Sequence, residues 1–447
     1  MRPLRIGYVG GHSAKVNERV IDDQWTAYLG EYTDLVRIPP FVFIRLFGGS
    51  INKWMRRFPD GLDELGEGLR RVCAKYDVQV LYMNLPMMIP FLLMARNYKQ
   101  LDLSILFMAH SVASPFWLKQ WIGITPFLTD RDILLTSTRS CKRALTNIAP
   151  VYESATEIPL CIGMRNTAPS EAAEQRILAI SRLENVKNID ALLSCFFRVR
   201  EQVPGAKLTI AGEFTGSQQQ ISEYKQMLEE LMDRYELHQA VEFVGPKTGE
   251  AKDQLFSAAS LLVNFSTDPG ETFGFNLLEA KVWGLPVVCT KWDGFQALVS
   301  PDEDGLLVDS SWNGEKPCID LEKAAQACVR LLTDSRLQRQ LSEGARKNAL
   351  LYDYRVIMPK IVQTVEAHLA LSGRIENKLP LESVATTPLR ELPHIYDIER
   401  LKPSGWLHET PLSILSLESA EPLAEWMSRV KPLIRHFAGE GMIYAQH

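Results

Sequence analysis

Residues 266–288 read STDPGETFGFNLLEAKVWGLPVV. The run at 261–266 just ahead is apolar and β-branched enough for a buried strand, and residues 276–283 carry apolar side chains at helical spacing. A strand-to-helix turn therefore lies between them. Backbone N–H groups at and beside Gly274 have no partner within the helix and point outward, where the helix dipole favours an anion such as phosphate. Glu271 and Glu279 flank this helix start, and carboxylates so placed can grip hydroxyls on either side of a bound anion. Taken alone, the pair reads as one capping carboxylate and one on a solvated face.

Outward from this turn, short apolar strands recur with helical patterns between them. They fall at residues 5–9, 78–83, 103–109 and 133–137, and again at 177–181, 207–211, 241–244 and 261–265. Such alternation predicts an α/β protein with parallel sheets covered by helices, each half doubly wound and Rossmann-like. The chain of 447 residues is too long for one ordinary core, and the polar segment NTAPSEAAEQ at 166–175 marks the boundary. The domains are 1–168, 169–371 and an extension at 372–447. Ligands of such sheets sit beyond the carboxyl ends of the strands, so two facing sheets would form an interdomain cleft. Helical patterns at 334–351 and 354–371 close the second domain. The extension ends in an amphipathic stretch at 422–437, with Leu423, Trp426, Met427, Val430 and Ile434 at helical spacing, Pro422 suited to the first turn and Pro432 at a kink.

With 46% hydrophobic and 23% charged residues and a net charge of -5, the composition is that of a soluble globular protein and gives no reason to expect nucleic acid. Residues 1–170 are about +5 and the remainder about -10, a mild asymmetry. Seven scattered cysteines form no metal or disulfide pattern and read as reduced and mostly buried. The chain opens on a strand, MRPLRIGYVG, without an apolar run of signal-peptide form, and the expected location is therefore the cytoplasm. The apolar stretch at 78–95 is broken by Asn84, Pro86 and Pro90 into a strand and a short helix rather than a membrane span.

Glu271, Phe273, Gly274, Glu279, Ala280, Gly284, Pro286, Val287 and Val288 resemble the signature of the retaining family-4 glycosyltransferases (glycosyl transferases group 1), a Glu-x7-Glu motif followed by Gly-x-Pro-Val-Val. Thr272 departs from the Gly that many members carry there, and TKWDGF at 290–295 departs from their Gly-Gly turn. The resemblance covers about residues 1–370 and implies the two-Rossmann-domain GT-B fold, in which the later helix at 354–371 can cross back onto the first domain, and sugar transfer from a nucleotide diphosphate sugar, a UDP-sugar being favoured. By resemblance, Arg182, Lys187 and Gly11 bind the donor diphosphate, and Phe273, Gly274, Phe275 and Gly10 support donor sugar and phosphates through the backbone. Glu279 holds the ribose, Gly245 and Pro246 meet the base, and Glu271 and His110 are the catalytic pair beside the sugar. Without the family, Arg182 and Lys187 read as surface cations, His110 as structural and Gly10-Gly11 as a tight turn.

The resemblance implies no cofactor and no metal, cations replacing the divalent ion. Asp130-Arg131-Asp132 and Asp302-Glu303-Asp304, which carry the Asp-x-Asp pattern of metal-dependent transferases, are expected to be solvated turns. Aromatic and basic residues crowd 41–58 and 115–123, among them Trp54, Arg56, Arg57, Trp117, Lys119 and Trp121. They leave open a glycan, lipid-linked or small-molecule acceptor and peripheral contact with the inner face of a membrane. Two rival functions remain: a catalytically silent scaffold or binding protein, and a sugar-nucleotide epimerase or phosphorylase on the same fold.

Overall fold

The computed structural model describes residues 3–10, 25–50, 54, 61–83, 88–109, 112, 121, 124, 127–148, 150–165, 175–268, 270–312 and 317–371. The chain divides into two compact units. Among the described residues, the first comprises those up to Cys161 together with the helix Tyr354–Leu371, and the second runs from Ile162 to Asp353.

In the first unit six parallel strands pair in the order β2-β1-β3-β4-β5-β6: β1 Arg5–Val9, β2 Asp34–Arg37, β3 Val80–Met83, β4 Ser104–Ala109, β5 Ile133–Thr136 and β6 Thr156–Glu157. The four central strands are near-continuous apolar runs because helices cover both faces of a parallel sheet. Residues 78–95 split as expected, into β3 and the helix Ile89–Lys99, with 84–87 outside the described residues. No described helix is long and apolar enough to cross a membrane. The helix Tyr354–Leu371 belongs to this unit, where Tyr28 stacks on Tyr354 with ring centroids 4.1 Å apart.

The second unit repeats the scheme in the order β12-β11-β10-β7-β8-β9: β7 Arg176–Ile180, β8 Lys207–Ala211, β9 Val241–Phe243, β10 Leu261–Asn264, β11 Val287–Thr290 and β12 Gly305–Val308. This is the classic doubly wound order, and the winding reverses between β7 and β10, where such sheets bind ligands. The core on one face of this sheet is built from alternate strand residues, among them Ile177, Ala179, Leu208, Ile210, Leu261 and Val263, and the helices Ile189–Gln202, Gln218–Arg234 and Leu321–Thr333.

Asp130, Asp302 and Glu303 are exposed in turns as expected, but the last aspartate of each triplet is not solvated. Asp132 is buried and paired with buried Arg96, which also donates to the carbonyl of Phe127 at 3.2 Å and so ties the helix Ile89–Lys99 to the entry of β5. Asp304 is buried against Lys281 at 2.9 Å and accepts from the Ser300 N–H at 3.0 Å. The sequence hides this because both partners lie far along the chain. None of the seven cysteines is in a disulfide; five are buried, and Cys73 and Cys318 are half-buried.

Lys281 sits on the helix Phe275–Val282 that carries Glu279, and its ammonium also reaches the Leu298 carbonyl and Asn348. Lys281→Met leaves Asp304 buried without its counter-charge, and a loss of about 3–5 kcal/mol in unfolding free energy is expected. Urea denaturation checks this; a loss below about 1 kcal/mol would show that water reaches the pair.

Candidate donor site in the second unit

The site grows from two chain segments that leave neighbouring strands at the reversal point. After β7 the chain runs through Arg182 and Glu184 into a short 3-10 turn, Asn185–Lys187, and Asn188 then adopts a left-handed conformation at φ 52° before the next helix. After β10 it runs through Ser266 and Asp268 to Glu271 and Gly274. Asn188 stitches the two together: its side-chain amide donates to the Phe265 carbonyl at 2.8 Å and to the Thr267 hydroxyl at 2.9 Å, while the Thr267 N–H donates to the Val186 carbonyl at 2.9 Å.

Lys187 is the centre. Its side chain is only 6% exposed, and its ammonium donates to Asp268 at 2.9 Å, Glu271 at 2.5 Å and the Ser266 hydroxyl at 3.3 Å. Burial works against its charge, but the Asp268 and Glu271 carboxylates outweigh burial and raise its pKa overall. Arg182 reaches Glu184 at 3.0 Å and Asp268 at 3.4 Å, with 45% of its side chain exposed. Asp268 thus gathers both cations on one carboxylate. Three carboxylates against two cations leave about one negative charge in excess, so affinity for an anion must rest on Arg182's exposed face and on the adjacent helix start rather than on net charge.

That helix start is Gly274, at φ 92° and ψ 55°, followed by Phe275–Val282. A side chain at 274 would be strained by the backbone angle and would meet the Phe295 ring at 2.6 Å, so glycine is required twice over. Asn276 fastens the helix over the reversal point by donating to the Ile180 carbonyl of β7 at 2.7 Å and accepting from Asn264 of β10 at 3.1 Å. The first-turn N–H groups of the helix therefore open at the reversal point.

The turn TKWDGF at 290–295 braces the Glu271 loop from beneath. Trp292 is buried and donates its indole N–H to the Asp268 carbonyl at 2.9 Å; the Thr290 hydroxyl donates to the Ser266 carbonyl at 2.5 Å. The Gly294 N–H donates to the Glu271 carbonyl at 3.3 Å, and a Cβ at 294 would lie 2.3 Å from the Thr272 carbonyl, so this approach needs glycine.

Arg182, Lys187 and Glu271 come together through Asp268 and the Lys187–Glu271 contact, next to the backbone of Phe273, Gly274 and Phe275. The Phe273 side chain itself turns inward, edge-on to Tyr352. Glu279 lies further along the helix with both oxygens on the Lys252 ammonium, at 2.6 and 2.7 Å. Gly245 accepts from the Gly212 N–H at 3.1 Å where β8 and β9 end, and Pro246 is exposed beside it. Gly10 ends β1 in the first unit, and the space its missing Cβ leaves is filled by the ring of its own neighbour Tyr8 rather than left for a ligand. Gly11 and His110 lie outside the described residues. So do Arg56, Arg57, Trp117, Lys119 and the 422–437 stretch, whereas Trp54 and Trp121 are buried core residues, Trp54 donating to the Gly61 carbonyl at 3.2 Å.

Five residues of the site escaped the sequence reading: Asp268, Asn264, Asn276, Lys252 and Trp292. An Asx motif, Asp268 two residues before Gly270, was the one local signal, and its carboxylate does accept the Gly270 N–H at 2.8 Å.

With the geometry in place, comparison with known proteins is informative. Residues 164–348 match the family described as glycosyl transferases group 1. The matched stretch takes in most of the second unit, which is similar to that family. A D-inositol 3-phosphate glycosyltransferase of Corynebacterium urealyticum is 30% identical over 186 residues, covering 41% of this chain and 41% of that protein. A sucrose synthase of Melioribacter roseus is 27% identical over 221 residues, covering 47% of this chain and 26% of that protein. The match thus spans well under two thirds of either relative's length. Among solved structures, Anabaena Alr3699/HepE in complex with UDP and glucose is similar with a TM-score of 0.62 at 18% identity, over 81% of this chain and 100% of that one. That likeness is one of fold, and the fold is that of the GT-B glycosyltransferases.

Burial pushes the Asp268 carboxyl up, but Lys187 more than reverses this and leaves its pKa below the ordinary value. The unfolded chain therefore takes up the proton first. Stability from this group is full above about pH 4 and is lost as pH falls through the lower folded-state value. The acid limb of a stability-pH curve is expected to be shallower in Asp268→Asn than in wild type. Parallel acid limbs in the two proteins would contradict the assignment.

Proposed function

We propose that this protein is a retaining glycosyltransferase that moves a sugar from a UDP-sugar to an acceptor hydroxyl without a metal or cofactor. The observation that carries the reading is the Lys187-centred cluster, with Arg182 and Glu271, beside the N-terminus of the helix Phe275–Val282 at the reversal point of the second sheet. The family match over 164–348 and the complex of UDP and glucose with a protein of similar fold support the class and the uridine donor.

In this reading the donor diphosphate lies across the helix start, where Arg182, the first-turn N–H groups and Lys187 stabilise the charge that grows as the bond to the anomeric carbon breaks. Glu279 accepts from the ribose hydroxyls, and Glu271 from a hydroxyl of the transferred sugar. The sugar–phosphate C–O bond breaks, the acceptor oxygen forms its bond on the same face, and its proton passes to the departing phosphate oxygen. No separate protein base is then needed. The cations take the part a divalent metal plays in other transferases. The acidic triplets suit no such role, since Asp132 and Asp304 are already engaged by Arg96 and Lys281. The acceptor is a hydroxyl of a glycan, lipid-linked or small molecule, and the site of action is the cytoplasm or the inner face of a membrane.

Lys187 also pins Glu271, so its removal would disturb fold and site together; Glu271→Gln is the cleaner probe. Its kcat is expected to fall by about 10^2–10^4-fold while UDP affinity changes little. Steady-state kinetics with NMR of the product anomer tests both halves of the claim. An inverted anomeric centre would contradict the mechanism, and near-wild-type turnover would remove Glu271 from it.

A further inference from the structure

The loop that carries Arg182 and Lys187 holds one more charged residue, and the donor-site reading above gives it no part. Glu184 follows Arg182 by two positions on extended backbone, at φ -149° and ψ 162°. Leu183 between them pairs in strand fashion with Phe214 and is buried in the core, so Arg182 and Glu184 leave the chain on the opposite side, together. The pairing laces the loop after β8 alongside. The Leu183 N–H donates to the Glu213 carbonyl at 2.8 Å, and the Leu183 carbonyl accepts from the Thr215 N–H at 3.3 Å.

Glu184 stands between two partners. One oxygen lies 3.0 Å from the Arg182 guanidinium, and the other accepts from the Thr215 hydroxyl at 3.3 Å. The side chain is mostly buried, and the oxygen facing Arg182 is shut off from water, so its charge needs the arginine as counter-ion. Asp268 is the other hold on Arg182, but 3.4 Å is long for a charge-assisted contact, and the same oxygen already takes Lys187 at 2.9 Å. Glu184 is therefore the closer and less shared partner.

We propose that Glu184 is a positioning residue: braced by Thr215, it holds the Arg182 guanidinium in one plane against Asp268, with the exposed face of the fork turned to the donor diphosphate. The inference rests on the donor-site reading. Two effects of opposite sign meet here, because a carboxylate beside a phosphate site also repels the phosphate. Arg182 at 3.0 Å already offsets that charge, whereas an unheld arginine, long and half-exposed, must be ordered anew at each binding event. Positioning outweighs repulsion.

The test is a double-mutant cycle read by titration calorimetry of UDP, with wild type, Glu184→Gln, Arg182→Ala and the double variant, each first shown to melt cooperatively. Glutamine keeps the shape of the side chain and a partner for Thr215 but removes the charge that holds Arg182. Glu184→Gln is expected to weaken UDP binding by about three- to tenfold in the wild-type background and to cause no further loss in Arg182→Ala, since the two residues act through one another. UDP binding that is unchanged or tighter in Glu184→Gln would overturn the inference and make Glu184 a competitor of the phosphate for Arg182. An equal loss in both backgrounds would also overturn it, by showing general damage to the loop. No UDP binding by wild type, or binding undiminished in Arg182→Ala, would instead overturn the donor-site reading, and this inference with it.

Discussion

A single buried ammonium organises the second unit. Lys187 is held by Asp268 and Glu271, and a charge so deep in protein persists only with counter-charges in contact. The requirement runs both ways. The carboxylates fix the 3-10 turn after β7, and the lysine fixes the loop after β10, so two segments about eighty positions apart in sequence become one rigid edge. Asn188 and the Asn264–Asn276 pair repeat the same stitching with neutral groups. The constraint explains why glycine stands at 274 and 294, where backbone and ring approach too closely for any side chain.

This arrangement is costly unless something uses it. A fold seeking only stability would place apolar side chains at the reversal point, since buried ion pairs rarely beat a packed hydrophobic substitute. Here charged groups gather instead at the carboxyl edge of the sheet, with Arg182 partly exposed and a helix N-terminus beside it. That combination suits a ligand carrying phosphate at one end and hydroxyls at both sides.

Much of this was legible in the sequence. The strand β10, the helix after Gly274, and the long helices Ser335–Leu350 and Tyr354–Leu371 fall within a residue or so of their sequence-based limits, because each has an unbroken apolar period. The edge strands β2, β6 and β12 and the strand β11 were not singled out. β2 is half-exposed and β6 is two residues long, so neither carries an apolar run, while β11 and β12 are four residues each between turns. At the site, Arg182, Lys187, Glu271 and Glu279 were reached through a linear motif and its resemblance. Asp268, Asn276 and Lys252 were not, because their partners lie 27 to 96 positions away and leave no local pattern. Asp132 and Asp304, the buried members of the acidic triplets, escaped for the same reason: a buried aspartate and a solvated one look alike until the distant cation is found.

The central claim is that the Lys187–Arg182 edge binds the diphosphate of a nucleotide donor without a metal. Titration calorimetry of UDP, GDP and ADP in EDTA, with wild type and Arg182→Ala, addresses it most directly. Arg182 is the solvent-facing cation, so its loss spares the fold. Selective binding of one nucleotide that survives EDTA and weakens about tenfold or more in Arg182→Ala is the expected result. Binding that needs a divalent ion, or that is equally strong in Arg182→Ala, would contradict the account.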